Sequence, residues 1–132
     1  MTDNELSQLL ALAEAGRRSR VVPALLSGDL ARTEAFYVRL GFTAESVGAG
    51  RRGFERDGHY LFFHTEPPHG TPASPTMSGT IYLFPESVDE LAQEWRGKVE
   101  FLWGPELMPY GLYEFGIADP DGYLLAFAER RA

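Results

Sequence analysis

The sequence lacks cysteine, long apolar runs and sustained basic runs, and each absence excludes a class of protein. Without cysteine the chain can form no disulfide, no thiolate nucleophile and no cysteine-ligated zinc or iron site, and it fits a reducing compartment. No apolar run approaches the ~20 residues of a transmembrane helix. The start, MTDNELSQLL, is acidic where a signal peptide would be basic, so we expect a cytoplasmic protein without a membrane segment.

Acidic residues outnumber basic ones, 19 to 12, and give a net charge of −7. There is no sustained basic run beyond the short segment Arg17-Arg18-Ser19-Arg20. Binding to a nucleic-acid backbone needs a positive stripe, so we do not expect nucleic acid as a partner. A cationic or zwitterionic small molecule suits this electrostatic field better.

The length of 132 residues fits a single domain, which begins with a predicted N-terminal helix in residues 1–19. Thr2 and Glu5 have the spacing of a capping box. Apolar residues recur on one helical face; they are Leu6, Leu9, Leu10 and Ala13. This face predicts a helix that packs on the domain or on a second subunit.

An internal repeat follows the N-terminal helix. The segments VVPALLSGDLARTEAFYVRLGFTAE (21–45) and GTIYLFPESVDELAQEWRGKVEFLW (79–103) each predict a strand, a helix and a strand. Asp29 and Ser87 are the expected N-caps, and Gly41 and Gly97 the expected helix ends. A hairpin follows each segment, so we predict an α+β fold of two βαβββ modules, residues 20–66 and 79–132, around a shared cleft. Residues 67–78 form the linker.

Two segments carry a family resemblance: SGDLARTEAFYVRLGF (27–42) and YGLYEFGIADPDGYLLAF (110–127). They resemble the vicinal oxygen chelate superfamily, which includes glyoxalases, extradiol dioxygenases, fosfomycin-modifying enzymes and bleomycin resistance proteins. The second segment looks especially like the bleomycin resistance branch. The resemblance spans roughly residues 20–130 and implies the two-module fold. It also implies a homodimer, and the linker allows the cleft to form either within one chain or from modules of two chains.

The resemblance further implies four positions at which the family's enzymes hold a divalent metal. In this sequence the positions are Val22, Phe62, Thr80 and Ala126. Such a site needs at least three nitrogen or oxygen donors, and only Thr80 offers one. We therefore expect no metal, no cofactor and no catalytic residue, and favour a protein that is not an enzyme.

Strand alternation places the second neighbours of these four positions on the same, inward face. The inward set is Val22, Ala24, Leu26, Tyr60, Phe62, His64, Thr80, Tyr82, Phe84, Leu124, Ala126 and Ala128. Tyr113 and Phe115 join it if Asp119-Pro120-Asp121-Gly122 is a simple four-residue turn, whereas a one-residue slip turns them outward. Trp103 and Tyr110 are expected at the lip of the cleft.

The polar-tipped and aromatic members of this face are the candidate ligand-binding residues. They are Tyr60, Phe62, His64, Thr80, Tyr82, Phe84, Trp103, Tyr110, Tyr113 and Phe115. An aromatic-walled cleft fits flat ligands by stacking. His64 is expected to hydrogen-bond or stack with a ligand, whereas His59 and His69 are interpreted as surface histidines.

These residues predict a metal-free binding protein that sequesters an aromatic or glycopeptide-type antibiotic without changing it, as the resemblance implies. The alternative is a divergent metal-dependent lyase, isomerase or dioxygenase that uses donors such as His64, Glu114 or Glu129. A third possibility is an interaction module whose cleft is filled by its own aromatic residues. Glu114 could approach the cleft, although a solvent-facing position on its strand explains it equally well.

Overall fold

A computed structural model of the chain describes residues 21–66 and 74–131, together with Thr2, Asp3, Leu6, Leu10 and Ala13. The chain divides into two compact units, Met1–Pro75 and Thr76–Ala132. Among the described residues, no helix has the length and apolar character needed to cross a membrane.

The predicted N-terminal helix falls only partly on described residues. Asp3, Leu6, Leu10 and Ala13 are helical, and the backbone N–H of Leu6 donates to the carbonyl of Thr2 at 3.0 Å. The other residues of this segment and most of the predicted linker, residues 67–73, lie outside the described part of the chain.

The first unit is a four-stranded sheet with one helix. Its elements are β1 (Ala24–Leu26), α1 (Leu30–Arg39), β2 (Thr43–Ser46), β3 (Arg51–Arg56) and β4 (His59–His64). The strand order is β1-β4-β3-β2, with β1 parallel to β4 and the other pairs antiparallel. Asp29 caps α1 by accepting from the backbone N–H of Arg32 at 3.2 Å, and Gly41 follows the helix at a φ of 87°. Both predicted ends of this helix are confirmed.

Helix α1 packs on one face of the first sheet through Tyr37. The Tyr37 ring lies 5.2 Å from Phe54 and 5.4 Å from Phe63, measured between centroids. Because side chains alternate along a strand, Phe62 points to the opposite face. There it packs with Tyr60.

The second unit repeats this topology. Its elements are β5 (Thr80–Leu83), α2 (Val88–Trp95), β6 (Trp103–Leu107), β7 (Leu112–Ala118) and β8 (Leu124–Arg130). The strand order is β5-β8-β7-β6, and β5 runs parallel to β8. Ser87 caps α2 by accepting from the N–H of Glu90 at 3.1 Å. The predicted α+β fold of two βαβββ modules is confirmed.

The helix-facing side of the second sheet is an aromatic core. Trp95 meets Phe127 edge-on at 4.8 Å and Phe115 at 5.8 Å between ring centroids. Phe115 also stacks on Phe101 at 4.6 Å. Phe115 therefore belongs to the packing beneath α2.

The turn between β7 and β8 corrects the predicted register. The predicted turn forms, since the N–H of Gly122 donates to the carbonyl of Asp119 at 2.9 Å, but Asp119 also pairs with Tyr123. Gly122, at a φ of 86°, is the extra residue of a type I turn with a G1 bulge. The prediction of a simple four-residue turn was therefore wrong by one residue.

This bulge reverses the predicted orientation of Tyr113 and Phe115. Phe115 pairs with Phe127, and Glu114 pairs with Ala128. The prediction that Tyr113 and Phe115 share a face with Ala126 and Ala128 is wrong. Both side chains lie on the helix side of the sheet, where the Tyr113 hydroxyl donates to Asp89 at 2.6 Å.

Candidate functional site

Four paired residues form a row across the second sheet on the face turned away from α2, with two small residues between two aromatic ones. Tyr82 pairs with Ala126, and Ala126 pairs with Gly116. Gly116 pairs in turn with Trp103. The indole of Trp103 lies directly over Gly116, because a Cβ at this glycine would overlap the ring. The absent side chain thus leaves the space that Trp103 occupies.

A bulge in β6 aims Trp103 across the sheet. Trp103 pairs with Gly116 and Glu106 pairs with Glu114, so β6 has one residue more than β7 between these two pairs. Gly104 lies inside this bulge at a φ of 73°, and a Cβ there would overlap the carbonyl oxygen of Glu114. Glycine is needed both for the backbone conformation and for the close approach of the two strands.

Glu114 is fully buried beneath the aromatic residues of this face, with an exposed fraction of 0%. Its Oε2 accepts from Trp103 Nε1 at 2.9 Å, and its Oε1 accepts from the hydroxyl of Tyr110 at 2.6 Å. The Tyr82 hydroxyl donates weakly to both oxygens at 3.3 and 3.4 Å. Three neutral donors satisfy the carboxylate, and no described lysine, arginine or histidine forms an ion pair with it. We call Tyr82, Trp103, Tyr110 and Glu114 the aromatic–carboxylate cluster.

Two tyrosines separate Glu114 from solvent. Tyr82 is 41% exposed and Tyr110 is 57% exposed, and their hydroxyl oxygens are 3.4 Å apart. Tyr110 lies in the turn between β6 and β7, which closes with a bond from Gly111 N–H to the Met108 carbonyl at 3.0 Å. A rotation of either tyrosine side chain would therefore open a path to the carboxylate.

The carboxylate also controls the ionisation of Tyr110. The hydrogen bond to Glu114 raises the pKa of the Tyr110 phenol well above its ordinary value, with a smaller contribution from the hydrogen bond to Tyr82. The reason is that a phenolate could no longer donate and would repel the neighbouring anion. Tyr110 therefore acts as a neutral donor at physiological pH.

The cluster combines exposed rings with a carboxylate that forms no ion pair with any described residue. Phe84 adds a further aromatic ring to this surface. It is 58% exposed and stacked with Tyr82, with ring centroids 6.4 Å apart. Aromatic faces attract flat rings and cations. A carboxylate in a water-poor site forms strong hydrogen bonds with charged donors. This surface is suited to a flat organic cation.

The structure brings together three of the predicted ligand-binding residues, namely Tyr82, Trp103 and Tyr110. Thr80 lies two residues before Tyr82 on β5 and is exposed. The interpretation of Glu114 as a solvent-facing strand charge is wrong, because this residue is buried. The signal that could have located it was Gly122, whose place after Pro120-Asp121 is typical of a G1 bulge.

The predicted residues of the first unit lie on the first sheet. Tyr60, Phe62 and His64 are all buried. The Tyr60 hydroxyl donates to Glu45 at 3.4 Å, and its ring lies over Gly53, as Trp103 lies over Gly116. His64 Nδ1 has no hydrogen-bond partner among the described residues, and burial lowers the pKa of this imidazole.

The residues at the family's metal positions do not fit a divalent metal. Phe62 and Ala126 are fully buried and apolar, Val22 has no donor, and Thr80 has one hydroxyl. Within residues 21–66 and 74–131, no group of three or more His, Asp or Glu is arranged to hold a metal ion. We derive no chemistry through a metal at these positions.

Comparison with known proteins identifies the family. Residues 20–127 match the sequence model of the Glyoxalase/Bleomycin resistance protein/Dioxygenase superfamily. The chain belongs to this superfamily. None of the curated proteins matches it in sequence.

Solved structures of this superfamily share the fold. A bleomycin resistance determinant encoded on the transposon Tn5 is 28% identical, with a TM-score of 0.67 over 85% of this chain and 98% of that chain. A bleomycin-binding protein complexed with bleomycin is 26% identical, with a TM-score of 0.66 over 84% and 98%. A lactoylglutathione lyase from Agrobacterium tumefaciens is 20% identical, with a TM-score of 0.63 over 83% and 91%, and this likeness concerns the fold alone.

Proposed function

We propose that this chain binds a small organic molecule that carries a hydrogen-bonding cation beside a flat ring, and holds it without chemical change. The observation that carries the proposal is Glu114, a fully buried carboxylate whose hydrogen-bond donors within the described part of the chain are all neutral. A ligand cation would take the place of a tyrosine hydroxyl on this carboxylate, and its ring would stack on Tyr82 or Tyr110. The net charge of −7 favours the approach of such a ligand.

The likeness to bleomycin-binding proteins supports sequestration of an antibiotic as the biological role. Bleomycin is the ligand named for one relative of similar fold. Sequestration requires tight binding and no reacting group. The aromatic–carboxylate cluster is consistent with this, since it offers rings and one anion.

We further propose that binding is metal-free. The enzyme alternative relied on His64, Glu114 and Glu129 as donors. Glu129 instead accepts from the N–H of Val88 at 2.7 Å and pairs with Arg131 at 3.4 Å. Elemental analysis of protein prepared without chelator should therefore find no stoichiometric zinc, manganese, iron or nickel.

Calorimetric titration tests the proposal with two probes, bleomycin and the flat cation proflavine. We expect saturable binding of at least one probe, weakened about tenfold or more by Glu114→Gln because the charge-assisted hydrogen bond is lost. Glu106→Gln is the matched control, because Glu106 pairs with Glu114 across the strands but is exposed. It should leave affinity unchanged. Absence of saturable binding of both probes below millimolar concentration would remove the proposal.

A further inference from the structure

We infer that the ligand is zwitterionic, with an ammonium group that binds Glu114 and a carboxylate group that binds Arg130. This inference rests on the proposed function and adds a second contact to the same site. It follows from the pocket beside the cluster, from the strand register and from the different contacts of two neighbouring arginines.

A pocket of about 590 Å³ adjoins the aromatic–carboxylate cluster. Its lining residues are Tyr110, Gly111, Leu112, Arg130 and Arg131. Tyr110 connects the two features, because it lines the pocket while its hydroxyl donates to Glu114. A group bound in the pocket would therefore lie next to the tyrosine that covers the carboxylate.

Strand register puts Arg130 on the same face of the sheet as Glu114. Arg130 pairs with Leu112, and Glu114 pairs with Ala128. The two charged residues are thus diagonal neighbours, with Cα atoms roughly 7–8 Å apart. Arg130 is exposed, and no described carboxylate forms an ion pair with it.

Arg131 lines the same pocket but has its partners already. Its guanidinium lies over the Tyr113 ring at 3.6 Å from the centroid and bonds Asp89 at 3.0 Å. The hydrogen bond to Asp89 is the main reason that the pKa of Arg131 is raised further. Of the two arginines at the pocket, Arg130 is the one whose planar guanidinium is available for a bidentate contact with a carboxylate.

The site therefore has an anion and a cation on one face, with a pocket beside them. A simple anion would be repelled at long range by the net charge of −7, and it would have only Arg130 as a partner. A simple amine would have only Glu114. An aromatic amino acid or a larger molecule with the same two groups would use both.

Three probes that share a phenyl ring test this inference: phenylalanine, phenethylamine and hydrocinnamate. Dissociation constants measured by NMR titration should rank phenylalanine tightest, by about threefold or more over phenethylamine, as one partly exposed ion pair allows. Hydrocinnamate should bind most weakly. Arg130→Gln should abolish the advantage of phenylalanine over phenethylamine by weakening phenylalanine binding, whereas phenethylamine should bind at least as tightly as before because a neighbouring positive charge is removed. Arg96→Gln, an exposed arginine at the end of α2, is the control and should change nothing.

The possible failures of this experiment are distinguishable. If phenethylamine binds as tightly as phenylalanine, or if Arg130→Gln leaves their ratio unchanged, the zwitterion inference is overturned while the proposed cation site stands. If wild-type protein binds none of the three probes and neither bleomycin nor proflavine, the proposed function itself fails. Circular dichroism of each variant would show that it is folded.

Discussion

Glu114 carries a negative charge inside the second unit, and its surroundings make that charge useful for binding. Burial of a carboxylate without hydrogen bonds would cost several kcal/mol, and the donors Trp103, Tyr110 and Tyr82 offset that cost. The donors on the solvent side belong to exposed tyrosines, whereas Trp103 lies flat on the sheet. When a ligand cation replaces a tyrosine hydroxyl, the carboxylate would therefore still accept hydrogen bonds from Trp103 and from the ligand.

The ionisation of Tyr110 reports on this arrangement. Glu114→Gln should lower the pKa of Tyr110 toward the ordinary tyrosine value of about 10, because an amide does not repel the phenolate. Residue-specific NMR of the tyrosine ring is the measurement, since the pKa of Tyr113 is also raised, by its bond to Asp89. Glu106→Gln should leave the titration unchanged. Identical Tyr110 titrations in wild-type protein and Glu114→Gln would show that the bond is absent in solution.

His64 should make stability depend on pH on the acid side. Burial lowers the pKa of its imidazole in the native state, whereas the unfolded chain takes up a proton below about pH 6.5. The unfolded state then binds more protons, so stability falls as the pH falls below that value. A hydrogen bond with the backbone of Glu66 raises the pKa of the imidazole, but the effect of burial is larger.

Urea unfolding at about pH 7.5 and about pH 5.5 would measure this effect on either side of the ordinary histidine pKa. The loss of stability on acidification should be smaller in His64→Gln than in wild-type protein. His59→Gln is the control, because His59 lies at the β3–β4 turn, and it should retain the full loss. An equal loss in His64→Gln would mean that His64 is hydrated in solution.

At the level of elements, the turn of the last hairpin in each unit, β3–β4 or β7–β8, determines which side chains of the two strands share a face. The first hairpin has a two-residue loop, since Arg56 pairs with His59, and Asp57 and Gly58 both have positive φ. The second has one residue more, although Asp-Gly occurs in both. Strand alternation predicted that Tyr82 and Ala126 share a face, and the two residues pair across β5 and β8. It could not orient Glu114 and Phe115, because one bulged residue exchanges the faces of a whole strand.

Gly116 is the position at which the second sheet accommodates Trp103. Gly116→Ala should lower the free energy of unfolding by about 1–3 kcal/mol, the usual cost of overpacking, because the indole must move and lose its bond to Glu114. Gly79→Ala is the matched control, since a Cβ there meets nothing within 4 Å, and it should change stability by less than about 0.5 kcal/mol. Equal effects in urea unfolding would contradict the placement of Trp103.

For the whole molecule, the repeat of capped helices and hairpins was enough to predict the fold. Asp29 and Ser87 cap the helices as expected, and each unit has the predicted βαβββ succession of elements. The candidate site was predictable only in part. Tyr82, Trp103 and Tyr110 were identified by residue type, but their convergence on Glu114 depends on two bulges. Such bulges change register without a strong change in sequence pattern.

We expect the chain to form a homodimer. Each sheet ends in an edge strand, and exposed apolar residues outside the cluster, such as Val38, Leu102 and Leu107, would gain from burial by a second copy. Light scattering at micromolar concentration should give twice the chain mass of 14.7 kDa. A mass near that of one chain would contradict the expectation.

The most direct test of ligand binding at the aromatic–carboxylate cluster is two-dimensional NMR of the two indole N–H groups. Trp103 donates to Glu114, whereas Trp95 belongs to α2 and is buried against Phe127 of the sheet, so it serves as an internal control. Trp103→Phe assigns the signals. On titration with bleomycin or proflavine, we predict that the Trp103 signal shifts in a saturable way while the Trp95 signal stays in place. An unchanged Trp103 signal during saturable binding, or equal shifts of both signals, would contradict binding at this cluster.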